Sequence, residues 1–106
     1  MLTRVKMAID TINFIDLLTD IHTLTKELTA FEHKYNLLSE VFYQWYCQGH
    51  EPDDDTWLTD LSEWAGLYRS RQYLTEQYHH MLRQQLTANQ ETITSHLHKQ
   101  VRLTNV

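Results

Sequence analysis

Apolar residues recur along the first half of the chain at a fixed beat. Phe14, Leu17, Ile21, Leu24, Leu28, Phe31, Tyr35 and Leu38 are separated by alternating steps of three and four. That spacing is the a/d stripe of a helix built to pack along its length against another helix. The pattern predicts a helix from about Asp10 to Lys34, with Asp10 or Thr11 as its cap. At 1.5 Å per residue it would run roughly 37 Å, so it needs a partner helix. Tyr35-Asn36 should end it, because Asn tolerates the left-handed conformation that closes many helices. Ser39 then caps a second helix from Glu40 to about Gln48, with Gly49 as its stop.

That second helix carries four rings in Val41-Phe42-Tyr43-Gln44-Trp45-Tyr46-Cys47. Phe42 and Trp45 or Tyr46 lie three or four apart on one face, and Tyr43 sits off it, with Cys47 four residues on. Two neighbouring faces of a two-turn helix are therefore apolar. The sequence His50-Glu51-Pro52-Asp53-Asp54-Asp55 reads as a loop, since Pro52 biases Glu51 away from helix. One of the three aspartates caps the third helix. Leu58, Leu61, Trp64, Ala65 and Tyr68 form its inner stripe. Leu74, Tyr78, Met81, Leu82 and Leu86 continue it more loosely. After Ala88-Asn89 the pattern thins to Ile93, Leu97 and Val101. Residues 87–106 form a helical extension or a tail that orders only in an oligomer.

The expected fold is all-α: one domain over residues 1–106, two long helices packed antiparallel along a coiled-coil-like seam, and a short aromatic helix between them. Composition agrees. Two glycines and one proline in 106 residues leave few joints. The single cysteine, Cys47, excludes an internal disulfide and suits a reducing compartment. Basic Arg4 and Lys6 precede only short apolar runs, which is no secretory signal, and no run reaches the length of a membrane span. A cytoplasmic protein is expected.

Charge divides unevenly. Residues 1–65 hold four Lys/Arg against twelve Asp/Glu, a formal −8; residues 66–106 hold five against two, a formal +3. Either acidic and basic helices lie against each other, within the chain or in a homodimer, or the second part meets nucleic acid through Arg69, Arg71 and Arg83.

The stretch Phe31-Glu32-His33-Lys34-Tyr35-Asn36-Leu37-Leu38-Ser39-Glu40-Val41-Phe42-Tyr43-Gln44-Trp45 resembles the FExKYGMSSEEFYxxF segment of small helical prokaryotic antitoxins of the TumA kind. In that family a glycine, an acidic loop and an EWAxLYxxYLxL helix follow. Here Gly49, Asp53-Asp54-Asp55, Glu63-Trp64-Ala65-Gly66-Leu67-Tyr68 and Tyr73-Leu74 stand in the same order. The likeness covers Phe31 to Leu74. Asn36 replaces the family's glycine, and the tail lies beyond it. The resemblance implies neutralisation of a ribonuclease-like toxin by direct binding, and in many cases binding to operator DNA. It implies no catalytic residue.

Other chemistry has little footing. His79-His80 and His96-x-His98 lack the three- or four-residue spacing that puts metal ligands on one helix face. His22 and His33 lack the H-x-x-K-G setting of phosphotransfer helices. The aspartate cluster is explained by capping. Cys47 reads as a small buried hydrophobe, and no Ser/His/carboxylate set suggests a triad. No enzyme, cofactor, metal, small-molecule substrate or membrane association is expected. Phe31, Tyr35, Phe42, Trp45, Trp64 and Tyr68 are assigned to a core cluster. Tyr43, Tyr46, Trp57, Tyr73 and Tyr78 fit the inner stripes less well, and exposed Tyr and Trp are typical interface anchors. A partner surface is therefore expected at Tyr43, Tyr46 and Trp57 with the carboxylates of Glu32, Glu40, Asp54 and Glu63. The competing expectations are a DNA-binding regulator of its own operon and a helical scaffold.

Overall fold

The computed structural model describes the backbone of residues 2–50, 53–90 and 92–104, and side chains within residues 14–50, 53–90 and 92–101. Four α-helices follow one another: α1 (Leu2–Tyr35), α2 (Ser39–Cys47), α3 (Leu58–Ala88) and α4 (Ile93–Thr104). A single 3₁₀ turn, Asp55–Trp57, leads into α3. Among the described residues there is no strand, and no helix is long and apolar enough to cross a membrane. The expected turn at Glu51-Pro52 lies outside the described residues.

The long helices α1 and α3 pack antiparallel. Phe14 stacks on Tyr78, Phe31 on Trp64, and Tyr35 hydrogen-bonds Asp60, so partners descend in α3 as they ascend in α1. The heptad stripe of α1 is the packed face: every member from Phe14 to Tyr35 is buried or half-buried. Leu38 is not, at 63% exposed, because α1 has already ended and the stripe's phase ends with it. Leu58 is likewise exposed, since α1 ends opposite Asp60 and leaves nothing for it to pack on.

The ends of α1 differ in how well they follow the expectation. Asn36 has φ +53°, and the Leu37 N–H donates to the Glu32 carbonyl, the wrap that closes a helix on a left-handed residue. The start is earlier than expected. Helix runs from Leu2 straight through Asp10 and Thr11, which are therefore not caps. No glycine or proline interrupts that stretch, so nothing forces a start at the first polar residue. Thr23, Thr25 and Thr29 are exposed on α1, and each hydroxyl donates to the carbonyl four residues back.

The Ser39 cap is also corrected. Leu38 occupies the N-cap of α2 without a side-chain bond, and Ser39 is the first helical residue. Its backbone N–H donates to the Glu32 carboxylate at 2.8 Å, while its hydroxyl, fully buried, accepts from the Trp64 indole N–H at 2.9 Å. Gly49, at φ +84°, follows the C-cap Gln48 and ends α2 as expected. No aspartate caps α3: its N-cap is Trp57, without a side-chain bond, because the 3₁₀ turn intervenes, and Asp54 caps that turn instead, accepting from the Thr56 N–H at 2.9 Å. The tail folds as a separate helix: Gln90 turns at φ +53°, and the Thr92 hydroxyl accepts from the Ser95 N–H to start α4.

The core gathers at one end. Leu28, Phe42, Leu61, Trp64, Ala65 and Tyr68 are its buried members. Trp64, 1% exposed, lies face to face with Phe42 at 3.9 Å between ring centroids and stacks on Phe31 and Tyr35 at 5.7 and 5.5 Å. Beside it, Asp60 accepts from both Lys34 and the Tyr35 hydroxyl, clasping α1 to α3. The Lys34 and Tyr35 hydrogen bonds hold the Asp60 carboxyl below its ordinary value.

Two predictions follow from this end of the molecule. Ser39→Ala strands the buried indole N–H and should cost about 1–3 kcal/mol. Trp64→Phe should cost a similar amount, and the double variant clearly less than the sum of the two. Additive losses in urea unfolding would instead return Ser39 to a simple local role. The second concerns acid. A carboxyl depressed in the folded state stabilises above its unfolded value and loses that contribution as pH falls through the folded one. Asp60→Asn should therefore narrow the drop in urea midpoint between neutral pH and the acid side of the aspartate range. An equal drop in variant and parent would exclude the clasp.

Candidate partner-binding surface

Helix α2 has two faces, and their phase separates them. Ser39, Phe42, Tyr43 and Tyr46 face inward: Phe42 on Trp64, Tyr43 tilted on Tyr68 at 4.8 Å between centroids, and Tyr46 against Phe42 at 5.5 Å. Leu38, Val41 and Trp45, spaced by three and four, form the outward row. They are 63, 50 and 37% exposed. The Trp45 ring lies flat against the His50 imidazole at 5.5 Å, which steadies it at the surface. Trp57 and Leu58, just beyond the loop, are also exposed.

This exchanges part of the expected assignment. Trp45, expected in the core, lies at the surface beside Phe42, and Tyr43 and Tyr46, expected to face a partner, are half-buried against the core. The cause is Ser39: bonding Trp64, it turns the Ser39–Phe42–Tyr46 line inward and Trp45 out. Tyr78 is also inward, stacked on Phe14 at 5.1 Å, while Tyr73 is exposed. Cys47 is exposed too, against the expectation of a buried hydrophobe. Its thiol bonds the Tyr43 hydroxyl, and together with burial this pushes the phenol's pKa up.

The carboxylates divide similarly. Glu40 and Glu63 are exposed. Asp54 is exposed but holds its cap, and the Thr56 N–H keeps its carboxyl below the usual range. Glu32 is spent within the fold. Burial alone would raise its carboxyl, but the bonds from Ser39, with the charges of Arg71 and His33, outweigh this and hold it low.

The arginines do not share one surface. Arg69 reaches the Tyr43 hydroxyl, and half-buried Arg71 lies over the Tyr68 ring at 5.5 Å with its charge toward Glu32. Exposed Arg83 lines an open groove of about 430 Å³ with His80, Gln84, Thr87 and Ala88, farther along α3. Among the described residues no three His, Cys, Asp or Glu side chains stand together to hold a metal ion.

The sequence reading missed Asp60 and the outward row. The row had a signal: Leu38, Val41 and Trp45 repeat by three and four, about 90° round the helix from Phe42 and Tyr46. Comparisons of the chain with protein-family models, with curated proteins and with solved structures find no match.

Proposed function

We propose that this chain is a protein-binding module that acts as an antitoxin in the cytoplasm, masking the active surface of a cognate ribonuclease-like toxin. The observation that carries the reading is the outward row Leu38, Val41 and Trp45, an apolar strip on a helix that also bears exposed Glu40. Asp53, Asp54 and Asp55 follow in the loop that leaves it, with Trp57 next. A groove that holds RNA phosphates is basic and carries stacking surfaces. A tryptophan-centred strip beside carboxylates suits such a groove in both respects. The resemblance over Phe31 to Leu74 supports the same partner class, because the quoted motifs supply this helix and its core.

Within this reading Trp45, Val41 and Trp57 are the anchors. Glu40, Asp54 and Glu63 supply the charge. Glu32, Tyr43 and Tyr46 act indirectly, by holding α2 in place. Operator binding draws little support, since Arg69 and Arg71 are engaged by side chains of the chain's own core region.

The test is co-expression with the product of the adjacent gene, followed by size-exclusion chromatography with light scattering. The neighbour should arrest growth alone, be tolerated with this chain and co-elute with it. Val41→Glu or Trp45→Ala should weaken the complex about 30-fold or more, the effect of losing one hot-spot side chain, while leaving the melting temperature near that of the parent. Glu40→Gln with Glu63→Gln should slow association and flatten its salt dependence. A harmless neighbour, or variants that bind like the parent, would refute the assignment.

A further inference from the structure

We draw no further inference here: the strongest candidate, the exposed apolar row of Ile93, Leu97 and Val101 on α4, is an unpartnered helix face, and nothing in the structure shows what covers it.

Discussion

One buried hydrogen bond sets the geometry of the aromatic end of the molecule. The Trp64 indole has to enter a core made largely of rings, and its N–H cannot be left without an acceptor there. Ser39 supplies the acceptor, and the same residue's backbone N–H is taken by Glu32. A single serine thus joins the three helices: α1 through Glu32, α2 through itself, α3 through Trp64. Once Ser39 is fixed, the rotation of α2 is fixed. Phe42 must then lie on Trp64, Tyr46 against Phe42 and Tyr43 on Tyr68, and Leu38, Val41 and Trp45 are left on the neighbouring, exposed face. The exposed strip borders the core, with Trp45 beside Phe42.

The rest of the molecule depends on that end. The buried residues fall between Leu28 and Tyr68. Farther along, from Phe14 to Leu24 and from Leu74 to Leu86, the seam side chains are only half-buried. Two helices alone cannot enclose a seam on all sides, so this half is held by pair packing, of which the Phe14–Tyr78 stack is the clearest case. The Asp60 clasp sits where α1 ends and protects the ring stack from that side.

Much of this was legible in the sequence because period and punctuation are local properties. The α1 stripe, the left-handed Asn36, the Gly49 stop and the all-α fold all follow from steps of three and four and from where a backbone must turn. The misreadings share a different cause. Ser39 fits a cap in sequence, yet its hydroxyl goes to a side chain twenty-five residues away. Trp45 and Tyr46 are both within reach of Phe42, and only the Ser39–Trp64 bond decides which turns inward. Asp60 gave no periodic signal, since its role lies in the ends of Lys34 and Tyr35. The early start of α1 is a different matter: Asp10 and Thr11 can cap, but nothing upstream obliges the helix to begin there.

The same constraint bears on how the surface is used. A strip on a nine-residue helix cannot be hidden by adjusting α2, because any rotation would break the Ser39 bond and unstack Phe42. The chain must therefore leave the strip in water or cover it with another molecule. Leaving three large apolar side chains exposed in one row costs solubility unless charge surrounds them, and the carboxylates of Glu40 and the aspartate loop supply that charge. Those acids also select the occupant. An acidic partner would bring like charges into a desolvated contact, whereas a basic one replaces water at both the apolar and the charged positions. The basic groove of the proposed toxin would meet that description at both kinds of position.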